Sequence, residues 1–260
     1  MRRVVCRLAT LAAAVGLLSG CNGSDDAQTS GRESPTITGT ITVFAAASLQ
    51  DAFTELGRTF ERKHPGSKVV FNFGPSSGLA QQIGRGAPAD VFASASTKAM
   101  DQVVAGGDAI GPRDFATNTM EIAVPPDNPA SVTSIADLAG QNVKVALCQA
   151  GVPCGATALT VFENAQITVT PVTEELDVKA VLSKVTLGEV DAGVVYVTDV
   201  RAAGDLVRGI AIPDEVNAST TYPIATLAAS ENDVTAEAFV EAVLSADGIG
   251  ALAVAGFGRP

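Results

Sequence analysis

Histidine is nearly missing from this 260-residue chain: His64, in "RKHPG" at the end of a helical pattern, is the only one. A serine nucleophile needs a base beside it and an acid to orient that base, so His64 leaves such chemistry without a partner. Tryptophan is absent, and Tyr196 and Tyr222 are the only tyrosines, too few for the tyrosine cluster of a ferric-ion binder. No P-loop, G-x-S-x-G elbow, H-E-x-x-H or dinucleotide fingerprint occurs. These gaps argue against an enzyme. Basic residues are scarce as well: 17 Lys and Arg stand against 28 Asp and Glu, a net charge of −11. That balance argues against nucleic acid or an anionic membrane surface as partner.

What is present begins with "MRRVVCRLATLAAAVGLLSGC". Arg2, Arg3 and Arg7 precede an uncharged run from Leu8 to Gly20 that is short for a membrane span and has the form of a signal peptide, residues 1–20. It ends in "LSGC", which resembles the bacterial lipobox, with Cys21 as the lipidated mature N-terminus; an ordinary signal peptide with an incidental cysteine is the alternative. Residues 21–38, including "NGSDDAQTSGRESPT", read as a polar tether without core-forming residues. Loss of the leader removes three arginines and no acid, taking the net charge to about −14. Of four cysteines, Cys6 leaves with the leader and Cys21 takes the lipid. Cys148 and Cys154, in "CQAGVPC", remain in a compartment that permits a disulfide. A local bridge is favoured over a metal site, which needs more ligands than are at hand; two free buried thiols are the remaining alternative.

From Thr40 onward, short β-branched runs alternate with amphipathic helices. "ITVFAA" (41–46), "KVVFNF" (68–73) and "ADVFASA" (89–95) read as strands, each followed by a helical stretch; Leu49, Ala52, Phe53, Leu56 and Phe60 share one helical face. The pattern restarts with strands at 121–126, 144–148 and 192–197 and helices at 156–163 and 178–187, then an extended run at 221–228 and a final helix in "TAEAFVEAVLS". This alternation predicts an α/β fold of two lobes, each a mostly parallel sheet flanked by helices, with a ligand cleft between them. Lobe 1 is expected to comprise 39–117 plus 225–260, and lobe 2 to comprise 118–224.

In open parallel sheets, ligands sit beyond the carboxyl ends of strands. Four such strand-to-helix junctions stand out: Ser48 in "TVFAAASLQDAF"; Ser76 and Ser77 in "FGPSSGLAQQI"; "AGVPCGATAL", where Pro153 suits a first helical turn; and "TEELDVKAVLSKV", opening near Asp177 and Val178. Each leaves backbone N–H groups without intrahelical partners, at the positive end of a helix dipole, which favours an anion. Taken singly, Ser48 with Asp51 three residues later also reads as a capping box.

"ITVFAAASL", "GLAQQIGRGAPADVFASA", "VPCG" and "GVVY" together resemble the molybdate-binding proteins of bacterial import systems, a branch of the type II periplasmic binding proteins. The resemblance covers about residues 40–258. It implies an extracytoplasmic receptor, here lipid-anchored to the cell membrane facing a periplasm or cell-wall space. It implies a monomer that hands molybdate or tungstate to an ABC transporter permease and its ATPase. A sulfate or thiosulfate receptor of the same fold is the alternative. By the same resemblance, the oxyanion is held by Ser48, Ser76, the backbone N–H groups of Cys154 and Val178, and Tyr196, through its oxygens and without a direct metal ligand or other cofactor. Cys154 departs from the family's small residue at that position; the backbone N–H survives the change, and a disulfide would brace the loop.

The chemistry fits that assignment. Molybdate at neutral pH is a dianion with acceptors only, and the five residues offer seven donors, each charge-assisted bond contributing about 1.5–3 kcal/mol. Phosphate keeps a proton and prefers a site with an acceptor. Sulfate must be excluded by cavity size, whereas tungstate matches molybdate in size. The acidic surface is screened over about 8 Å, while the donors act at contact.

Overall fold

The computed structural model describes residues 36–260; the leader, Cys21 and most of the tether lie outside the described residues. The first lobe opens with strand β1 (Gly39–Ala46), a single 3-10 turn (Ala47–Leu49) and helix α1 (Gln50–Lys63). Then come β2 (Ser67–Gly74), α2 (Ser76–Ile83), β3 (Val91–Ala93) and α3 (Thr97–Ala105). β1 pairs in parallel with β2 on one side and β3 on the other. Side chains alternate across a strand, and β1 uses both faces. Ile41, Val43 and Ala45 enter a core with Phe53, Phe60, Phe115 and Phe239, while Phe44 enters a second core with Leu79, Phe92 and Met100. Helix α1 buries Phe53, Gly57 and Phe60 along one stripe. Gly57 gives the Phe71 ring room on that stripe: a Cβ there would push the ring edge aside.

The chain leaves this lobe on β4 (Ala109–Val124), a 16-residue strand of which the sequence pattern, with a strand at 121–126, predicted only the last four residues. β4 is antiparallel to β9 (Ser219–Leu227) over its first part and to β7 (Ala192–Tyr196) and β8 (Arg208–Ala211) over its last. The second lobe adds β5 (Val145–Cys148), α4 (Pro153–Asn164), β6 (Thr173–Glu175), α5 (Val178–Thr186) and α6 (Val197–Ala203). β5 lies parallel to β6 and β7. Its core gathers Ile122, Val145, Val161, Val181 and Val194. β9 returns to pair with β3, and α7 (Asp233–Leu244) and α8 (Ala246–Ala255) complete the first lobe's packing.

The resulting order is β2-β1-β3-β9-β4-β7-β5-β6, with β8 beside β4. The parallel strands of each lobe thus point their carboxyl ends, and the helix starts that follow them, at the region where β4 and β9 cross. Cys148 and Cys154 are joined, with Cα atoms 5.8 Å apart. The bridge ties the end of β5 to the first turn of α4.

Candidate functional site

Five chain junctions converge on one cavity of about 20 Å³. A single water needs roughly 10–15 Å³ by the same measure and an organic ligand several hundred, so the cavity suits one small ion. Ser48, Ser76, Cys154, Val178 and Tyr196 all line it. Ser77 is not among the lining residues, which separates the two serines that the sequence left ambiguous.

Ser48 lies in the 3-10 turn after β1 and is buried. It does not cap α1: the N-cap is Leu49, and no side chain bonds that helix start. The expected capping box is therefore absent, because the turn after β1 shifts the helix start by one residue and turns the hydroxyl inward. There Ser48 Oγ meets Tyr222 Oη at 2.9 Å. Asn118 Nδ2 donates to Thr198 Oγ1 at 2.8 Å and to Tyr222 Oη at 3.4 Å, while Asn118 Oδ1 accepts the Thr119 N–H at 3.1 Å and so fixes the amide's orientation. With its oxygen accepting from Asn118, Tyr222 is set to donate to Ser48, and Ser48 keeps its own proton for the cavity.

Ser76 is the first residue of α2, after the extended Pro75. Its Oγ accepts the Ala95 N–H at 3.0 Å, which again leaves the hydroxyl proton to be donated. At α4, Pro153 occupies the first turn and Cys154 follows, so the Cys154 N–H has no acceptor within the helix. Gly155 lets this turn pack on the end of β5: a Cβ there would collide with the Gln149 and Cys148 carbonyls. At α5, Asp177 caps by accepting the Ala180 N–H at 3.0 Å, leaving the Val178 N–H at the first helical position. The Asp177 carboxylate, which borders the cavity, is thereby committed to its own helix.

Tyr196 ends β7 and is 1% exposed. Thr157 faces the phenol but donates its proton to the Pro153 carbonyl at 2.9 Å, and among the described residues no atom completes a hydrogen bond to Tyr196 Oη. Burial pushes this phenol well above its ordinary pKa, with the Thr157 hydroxyl opposing and Asp199 adding to the shift. It stays a neutral donor. Asp199 Oδ2 accepts the Tyr196 N–H at 3.1 Å and so fixes the start of α6. The Asp199 carboxyl, fully buried, is pushed up to about 6 by desolvation, with Lys179 and the Tyr196 N–H opposing.

No lysine, arginine or histidine lines the cavity, and among the described residues no three His, Cys, Asp or Glu gather as a metal cage. The sequence singled out five of the lining positions but not Tyr222, Asn118 and Thr198, which reach Ser48 from the crossing strands and α6. Their available signal was that Tyr222 is one of two tyrosines and falls where the chain was expected to cross between lobes.

Two lobes joined by crossing strands, with helix starts gathered around one small cavity, define a solute-binding protein of bacterial importers. The chain belongs to the bacterial extracellular solute-binding protein family, whose profile matches residues 41–258. It is 43% identical over 221 residues to the molybdate-binding protein ModA of Mycobacterium tuberculosis, an alignment covering 85% of each chain. Among solved structures it is similar to the periplasmic molybdate-binding protein of Azotobacter vinelandii, with a TM-score of 0.75 and 20% identity over 85% of this chain and 99% of that one. The sulfate-binding protein SubI of M. tuberculosis is similar in fold to the same degree, with a TM-score of 0.74 and 17% identity over 84% of this chain and 86% of that one. Fold alone therefore does not separate the two anions.

Proposed function

We propose that this protein captures molybdate, and tungstate equally, outside the cytoplasm and delivers it to an ABC importer. The observation that carries the reading is that Ser48, Ser76, Cys154, Val178 and Tyr196 all line one cavity sized for a small ion; in this reading the hydroxyls of Ser48, Ser76 and Tyr196 and the N–H groups of Ser48, Ser76, Cys154 and Val178 supply seven donors to it. A fully ionised tetrahedral anion satisfies every one of these donors through its oxygens and asks for no acceptor, no direct metal ligand and no cofactor. Such a site binds and releases: the one carboxylate at its border, Asp177, accepts the Ala180 N–H of its own helix, which supports a receptor rather than an enzyme. The 43% identity to a protein named for molybdate favours that ion over sulfate.

In this reading Cys21 carries a lipid that holds a monomeric receptor at the outer face of the cell membrane, and residues 21–38 tether it there. The lobes, 39–117 with 225–260 and 118–224, swing about β4 and β9 and meet over the anion; the permease and its ATPase receive it when they part. Titration calorimetry of the mature protein with molybdate, tungstate, sulfate and phosphate tests the assignment. Micromolar or tighter binding of the first two, with sulfate at least about tenfold weaker, is expected. Equal binding of sulfate, or no binding of either metal oxyanion, would refute it.

A further inference from the structure

Lys179 spans the two lobes just outside the cavity. It follows Val178 on α5, and its Nζ lies 2.7 Å from Asp51 Oδ2 on α1 and 3.2 Å from Asp199 Oδ1 on α6. Asp51 stands three residues after Ser48, and Asp199 three residues after Tyr196. The three ions therefore join the segments that carry Ser48, Val178 and Tyr196, while none of them lines the cavity itself.

The two contacts differ in kind. Lys179 and Asp199 belong to the same lobe, and Asp199 is fully buried, so this pair holds the ammonium in place whether the lobes are together or apart. Asp51 belongs to the other lobe, and its side chain is 60% exposed. The contact between Lys179 and Asp51 exists only while α1 and α5 are together. Burial pulls the Lys179 ammonium toward deprotonation, but the Asp199 and Asp51 carboxylates outweigh it and keep the lysine charged. A contact made in one of two states shifts the equilibrium toward that state by its differential free energy.

We propose that Lys179 and Asp51 form a clamp that holds the lobes closed over the captured anion, with Asp199 aiming the lysine across the cleft. The inference rests on the receptor reading above. It makes Lys179 and Asp51 positioning residues that set how long the anion stays, without touching it.

The test is a double-mutant cycle on the molybdate dissociation rate of the mature protein, using D51N, K179M and the combined variant. A partly exposed ion pair is worth a few tenths to 1 kcal/mol, so D51N is expected to speed dissociation about two- to fivefold. K179M is expected to speed it more, since it also leaves Asp199 without its counter-ion. In the combined variant, D51N should add nothing further, and K179R should dissociate like the wild type. D51N is a surface change that leaves the core intact, so it tests the clamp even if K179M fails to fold. Unchanged or slower dissociation in D51N, or additive effects in the cycle, would overturn the clamp. If the wild type binds no molybdate, the receptor reading falls, and the clamp with it; binding by the wild type with an unaltered D51N overturns the clamp alone.

Discussion

The Ser48 and Tyr222 hydroxyls lie 2.9 Å apart, both side chains buried, at the point where one lobe's first turn meets the strand returning from the other. This pairing assigns the serine a direction. The Asn118 amide, donating to the Tyr222 oxygen, favours Tyr222 as donor and Ser48 as acceptor, which frees the serine proton for a ligand. Ser48→Ala should weaken molybdate binding by about 1–3 kcal/mol, read by calorimetry. Ser48 caps no helix, but its loss leaves the buried Tyr222 hydroxyl without its partner, so the unliganded protein should also lose about 1–3 kcal/mol in a urea melt. Tyr222→Phe should weaken binding by a smaller amount, through loss of the group that orients Ser48.

Tyr196 tests the same logic from the opposite side. Its hydroxyl is buried without a completed hydrogen bond, and such a group costs about 1–3 kcal/mol of desolvation. Tyr196→Phe is expected to leave the unliganded protein as stable or more stable in thermal unfolding, while its affinity for molybdate falls about tenfold or more. A variant that lost stability and kept affinity would show a structural role only.

The Cys148–Cys154 bridge closes a short loop, with a sequence separation of 6. Loop-closure entropy for so short a ring gives about 2 kcal/mol of stabilisation. Reduction, or the double change Cys148→Ser and Cys154→Ser, should lower the melting temperature accordingly. It should also weaken molybdate binding, because the Cys154 N–H loses its brace. Melting curves and titrations with and without reductant measure both effects.

Stability should depend on pH through Asp199. Its folded-state value near 6 lies above the ordinary 3.8, so the folded protein holds this proton more tightly than the unfolded chain. Stability therefore rises as pH falls from above 6 toward about 4, by at most about 3 kcal/mol. Asp137, held low by the Thr133 N–H and hydroxyl and by Ser134, and Glu241, held low by Arg113, act in the opposite sense and lose their contribution at lower pH. A maximum between these regimes is expected in a series of thermal melts, and Asp199→Asn should remove the rise on its alkaline side.

Much of this architecture is legible in the sequence because burial is periodic. The fully buried run of β7 and the stripe of Phe53 and Phe60 on α1 show plainly in the chain. Less visible is β4, whose first half carries Gly111, Pro112, Arg113 and Asp114 and is shaped by its register with β9, irregular at two places, rather than by its own composition. Helices α6 and α8 were also missed. The first follows Tyr196 with no intervening loop, and the second starts after a single residue, Ser245. Ser48, Ser76, Cys154 and Val178 were legible through their place at expected helix starts and through family resemblance, and Tyr196 through the resemblance alone. Tyr222, Asn118 and Thr198 were not, since their roles depend on contacts across 80 to 174 positions of chain.

The Ala95 N–H that fixes Ser76 has an evolutionary consequence. Four of the seven proposed donors are main-chain groups, and the polarity of a fifth is imposed by another main-chain group. Side-chain substitution, proline apart, leaves the four main-chain donors in place. Mutational drift in such a site is channelled into residues such as Leu176, Val152 and Ala46, which border the cavity and set its dimensions. Substitutions there alter the size of the cavity without touching the main-chain groups around it.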